Sequence, residues 1–132
     1  MLKKYLMVFS ISVAIILVIL LCLYYFIMLM PTNSIMSRAE KIFNGEIIAD
    51  ENDPLNRYNK DWSLVQNTRT KLSLRRSWVW HDGKKGYMNI VYTACHYDGT
   101  GDLVSGSWNV DSKWHIEKRN GKWEVVDIDE LA

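Results

Sequence analysis

With 132 residues and 16 Lys and Arg against 15 Asp and Glu, the chain lacks both the length for several large domains and the cationic excess of a nucleic-acid binder. All six tryptophans lie beyond residue 60, which is too much apolar bulk for a disordered tail. The two cysteines, Cys22 and Cys95, fall in different segments, so disulfide stapling plays no part in the fold.

From Leu6 to Met30 there is no charged residue, and only Ser10 and Ser12 are clearly polar. As a helix this stretch would be about 37 Å long, against roughly 30 Å of bilayer hydrocarbon. Sixteen of its residues are Leu, Ile, Val or Phe. Their insertion free energies sum to roughly −5 to −10 kcal/mol, so residues 6–30 are expected to be a transmembrane anchor held in the lipid bilayer. A cleaved signal peptide is the rival. Lys3 and Lys4 would suit it, but the apolar run is too long and only Thr32-Asn33-Ser34 resembles a cleavage site. Lys3 and Lys4 lie directly against the run, while the first cations beyond it are Arg38 and Lys41. The positive-inside rule then leaves residues 1–5 as a cytoplasmic stub and places residues 31–132 outside the cell membrane.

Residues 31–132 carry 14 cations and 15 acids, close to neutral. Pro31 to Ser34 breaks the apolar run and supplies cap residues for a new helix. Ile35, Met36, Ala39, Ile42 and Phe43 follow at helical spacing, and Asn44-Gly45 ends the element as a C-cap. Such a stripe is expected to cover the sheet that follows, with a membrane-surface position as the alternative. Asp50 to Pro54 reads as a loop, since its acids lack the spacing of a calcium loop. A second short helix from Leu55 to Gln66 would carry Leu55, Tyr58, Trp62 and Val65.

From Lys71 the apolar period changes to two. Leu72, Leu74, Trp78 and Trp80 are expected on one face, with Arg76 interrupting it. Residues 81–86 form a loop. Tyr87 to Tyr97 is a strand with Met88, Ile90, Tyr92, Ala94 and His96 on one face and Tyr87, Val91, Cys95 and Tyr97 on the other. Cys95 reads as a buried free thiol, a reactive one being the alternative. Asp98 to Asp102 is a turn that shares only letters with a protease D-T-G. Leu103 to Lys118 places Val104, Trp108, Val110, Trp114 and Ile116 on the covered face, with Gly106 among them. Asn120-Gly121 predicts a type I′ hairpin, and Trp123, Val125, Val126 and Ile128 close the sheet, with Trp123 standing near Trp114. The expected class is α+β: one or two helices on a curved, four-stranded antiparallel sheet.

The run from Trp114 to Ile128, with Trp114-x-Ile116 and Gly121-x-Trp123-x-Val125, resembles the closing hairpin of NTF2-like domains, cone-shaped α+β modules. The resemblance implies a pocket on the apolar sheet face with an acid–base residue inside, for which His96 beside Tyr92 is the matching pair. Trp78, Trp80, Tyr92, His96, Trp108 and Trp114 are the residues expected to line it. The alternative is that these rings are simply core. His81, His96 and His115 show no metal-ligand spacing, and no nucleotide or nucleophile motif is present, so neither a metal nor a cofactor is expected. Arg75, Arg76, Lys84 and Lys85 suggest a solvated basic edge. Two functions remain: a membrane-tethered, non-catalytic binding module with an envelope protein or a second copy as partner, or a small-molecule enzyme or carrier using the pocket.

Overall fold

The computed structural model describes residues 1–60 and 69–131, which fall into two compact units, 1–32 and 33–132. In the first unit, helix α1 spans Leu2–Tyr24 and is followed by a π-helical segment, Tyr25–Leu29, and a 3-10 turn, Met30–Thr32. Pro31 has no N–H to give to the carbonyl four residues back, so the helical path widens and then tightens around it. The apolar run ends at Pro31, but the helical coiling is altered there and not broken. Its helix is apolar enough and long enough to cross a membrane.

In the second unit, helix α2 covers Asn33–Phe43. Ile35, Ala39, Ile42 and Phe43 are buried on one stripe, as the helical spacing requires. Gly45 takes φ 76°, and the N–H groups of Gly45 and Glu46 close the end on Ile42 O and Lys41 O. Residues 50–53 form the expected loop, in which Arg38 pairs with Asp53 at 2.6 Å. Asp53 caps the five-residue 3-10 helix Pro54–Tyr58 by accepting from the N–H of Leu55. Of the longer helix expected over 55–66, the described residues show this turn and leave it at Asn59; positions 61–66, with Trp62 and Val65, lie outside the described residues.

Four strands follow, β1 (Arg69–His81), β2 (Lys85–Tyr97), β3 (Leu103–Arg119) and β4 (Lys122–Leu131). They pair in chain order as an antiparallel sheet that does not close on itself. The turns use local carboxylates. Asp82 accepts the N–H groups of Lys85 and Lys84, which hold its carboxyl below the usual range. Asp98 does the same for Thr100 and Asp102, with the Thr100 hydroxyl as its main support. The β1–β2 loop is shorter than expected, because Lys85 and Gly86 already belong to β2. Gly86 must be glycine there: an added Cβ would sit 2.0 Å from the Trp80 carbonyl oxygen.

The third turn is the expected two-residue hairpin. Arg119 pairs with Lys122, and Asn120 and Gly121 take φ 52° and 77°. Gly121→Val should lower stability by about 1–3 kcal/mol through strain at a positive φ. Urea titration of the two proteins measures this, and an unchanged midpoint would contradict the turn. Trp114 and Trp123 do not meet across that hairpin. Trp114 lies opposite Ile128, and Trp123 opposite Lys118, where its ring packs on His81 at 4.5 Å.

The sheet buries one face beneath α2 and the 3-10 helix. Val79, Met88, Ile90, Trp114 and Ile116 are at most 1% exposed there, with Leu55, Tyr58, Val125 and Ile128 beside them. Two bulges decide which tryptophans join them. In β1 the register slips between Arg76 and Trp78, and the Ser77 hydroxyl donates to Asn89 O at 3.2 Å. Arg76, before the slip, keeps the face of Leu72 and Leu74 as expected and donates to Asn33. Beyond the slip Trp78 and Trp80 turn outward, and Val79 and His81 take their place. In β3 the slip falls opposite Thr93, whose Oγ1 accepts the N–H of Asn109 at φ 46°. Trp108 consequently lies over Gly106 and Cys95 on the outer face, and Cys95 is buried as expected for a quiet thiol.

Candidate functional site

The six expected pocket residues are divided by this arrangement. Tyr92, His96 and Trp114 lie on the covered face; Trp78, Trp80 and Trp108 are 46%, 47% and 57% exposed. Trp114 is fully buried and fills the centre, with Tyr58 stacked on it at 5.7 Å. Phe43 packs on Tyr58 at 4.5 Å and on Tyr92 at 5.0 Å, so the middle of the face is solid aromatic core.

Beside that core the sheet runs on past its helical cover, and a groove of about 450 Å³ opens. β2 and β3 make its floor with Tyr92, Ala94, His96, Ser105 and Ser107; Phe43, Arg57, Tyr58, Asn59 and Lys60 make its wall. The volume falls in the range of small-molecule sites. His96 and Tyr92 thus share one cavity, as the alternation along β2 implies, but each has its own partner. The His96 Nδ1 lies 3.1 Å from the Thr70 hydroxyl, leaving Nε2 as the ring's other nitrogen. Burial, and then the charge of Lys60, lowers the pKa of His96 below its ordinary value, so the ring is neutral near pH 7.

Tyr92 and Tyr58 both donate to one oxygen of Glu130, at 2.7 and 3.0 Å. Burial, reinforced by that carboxylate, pushes both phenol pKa values well up. Arg57 lies 4.0 Å from the same oxygen and donates to the Ile128 carbonyl. Tyr92 therefore serves as a strut between β2 and β4 and offers little as an acid. Asn59 completes the wall by clasping Ala49, accepting its N–H at 2.8 Å and donating to its carbonyl at 2.9 Å.

Arg57, Asn59, Lys60, Ser105 and Ser107 were missed as site residues. The loop residues carry no motif, and the two serines alternate with what looks like an apolar strand face until the bulge at Asn109 is known. The basic edge expected from Arg75, Arg76, Lys84 and Lys85 is dispersed: Arg75 and Arg76 point to opposite faces, and the two lysines sit in the Asp82 turn. Among the described residues, one cluster has the donor types for a cation. His115, Asp127 and Asp129 bring their ligand atoms within 4.8 Å, across β3 and β4. His115 Nε2 already bonds Asp129 at 2.9 Å on an exposed surface, the geometry of an ordinary hydrogen-bonded pair. Comparison with family models, with curated proteins and with solved structures finds no match, so the NTF2-like resemblance rests on the closing hairpin alone.

Proposed function

We propose that the chain is a non-catalytic binding module, anchored in the cell membrane by residues 6–30 and carrying its sheet domain outside the cytoplasm. The observation that supports this reading is the groove. An aromatic wall meets a converging set of polar groups, Arg57, Asn59, Lys60, His96, Ser105 and Ser107, in one open cavity. Its two titratable floor residues are engaged, His96 by Thr70 and Tyr92 by Glu130. That suits holding a ligand better than moving protons.

The test is a fragment screen by ligand-observed NMR on the full chain in a mild detergent, repeated on Ser107→Trp. Ser107 is exposed at the rim, so the indole should fill the groove without disturbing the core. Bound fragments should be displaced and the thermal midpoint unchanged. Fragments bound equally by both proteins, or no binding at all, would remove the groove as the site.

The proposed orientation follows from Lys3 and Lys4 beside the span. A C-terminal tag should be digested by protease added to intact cells, with any outer membrane first removed. A tag protected until lysis would reverse the topology.

A further inference from the structure

The other face of the sheet is anomalous for a domain of this size. Trp78, Trp80 and Trp108 all stand about half exposed on it, and both bulges act to put them there. Neither bulge is loose: one is clipped by the Ser77 hydroxyl, the other by Thr93 with Asn109 at positive φ. Trp80 lies near Tyr87 at 6.4 Å, which extends the aromatic surface towards the sheet centre.

Charge is sorted on the same face. Strand β1 contains no acid, and Arg69, Lys71 and Arg75 alternate outward along it beside the tryptophans. The outward acids, Asp111 and Glu117 among them, lie across the sheet on β3 and β4. Lys113 stands between those two, with its ammonium 4.3 Å over the Tyr87 ring. The β1 side of the face, with Trp78 and Trp80, is therefore aromatic and cationic, the composition that partitions into the headgroup layer of an anionic membrane.

We propose that outward Trp78 and Trp80, on the same strand as outward Arg69, Lys71 and Arg75, seat the domain on an anionic bilayer surface. This rests on the reading of residues 6–30 as a membrane span. The domain begins at Asn33, only three residues past the apolar run, so the chain tethers it to the lipid by a very short link. A surface held that close acts at high effective concentration, and weak interfacial contacts suffice to engage it. Stiff, half-exposed indoles on a rigid sheet enter the interface with little loss of conformational freedom.

Every tryptophan lies outside α1, so tryptophan emission reports on the domain alone. The full chain is reconstituted into vesicles of phosphatidylcholine with about a third phosphatidylglycerol, and emission is measured with bromine placed at shallow or deep acyl positions. Shallow bromines should quench at least twofold more than deep ones. Trp78→Ser with Trp80→Ser should remove most of that difference. Arg75→Glu with Lys71→Glu, which leaves every ring in place, should also reduce it, as should omitting the anionic lipid.

Equal emission with brominated and plain lipid, while the chain resists alkaline carbonate extraction, would overturn the proposal and leave the span intact. Chain stripped by carbonate would remove the span and the proposal together. Unquenched emission accompanied by a cross-linked dimer that Trp78→Ser with Trp80→Ser abolishes would overturn it in favour of a second copy on this face.

Discussion

Trp114→Ala should lower the stability of the sheet domain by roughly 3–5 kcal/mol, the largest effect of any single truncation considered for this chain. The ring is fully buried between Met88 and Ile128 across the sheet and Tyr58 above it. Its indole N–H is buried without a hydrogen-bond partner among the described residues, a group whose desolvation is uncompensated. Trp114→Phe should accordingly cost clearly less than Trp114→Ala, because it keeps much of the packing and removes the orphaned donor. Urea denaturation of the full chain in detergent, followed by tryptophan emission, compares the three proteins. An unchanged midpoint for the alanine variant would show that Trp114 is not core and would return it to the list of binding residues.

Glu130→Ala should be the second large loss, about 2–4 kcal/mol. It strips the shared acceptor from two phenols at once, and unsatisfied buried donors cost about 1–3 kcal/mol each. The sum is discounted because the carboxylate is itself 29% exposed and water can replace part of what it provides. Glu130→Gln keeps an acceptor and should cost less than half as much. The consequence reaches the groove, because Tyr58 and Tyr92 stand in both the core and its lining. Loosening them should weaken any ligand of the groove along with the fold. A Glu130→Ala midpoint equal to that of the parent would mean that the two phenols find water as readily as they find this carboxylate.

The same pair sets a pH dependence whose direction can be worked out. Both phenols have folded pKa values raised above the ordinary one near 10, first by burial and then by Glu130. A raised folded pKa contributes stability that is fully present below the unfolded value and is lost as pH rises beyond it. Stability should therefore fall from about pH 10 upward, as unfolding releases phenolic protons that the native state retains. Glu130→Ala should make that fall shallower without abolishing it, since burial is the larger cause. A profile flat through the alkaline range would contradict the buried phenols.

Much of the architecture was legible along the chain. The apolar run, the stripe on α2 with its Asn44-Gly45 end, and the turn residues at Asp82, Asp98 and Asn120-Gly121 all act through neighbours a few residues away. That is why four strands and their order could be read from sequence. The inward set Met88, Ile90, Tyr92 and Ala94 followed from strict alternation, and no bulge interrupts β2 before Thr93.

What alternation could not supply was the point at which it is broken. Trp78, Trp80 and Trp108 were expected inside because their positions share a parity with Leu72, Leu74 and Val110. One extra residue at Ser77 and another at Asn109 reverse that parity, and each is held by a partner on the adjacent strand. Glu130 reached Tyr58 and Tyr92 from 72 and 38 residues away, and His115 met Asp129 through the hairpin register. Local chemistry along the chain thus determined the elements, their order and the closing turn. Only the pairing of strands decided which rings are core, which line the groove and which face outward, because a bulge's cost is offset by contacts that exist only once the sheet has formed.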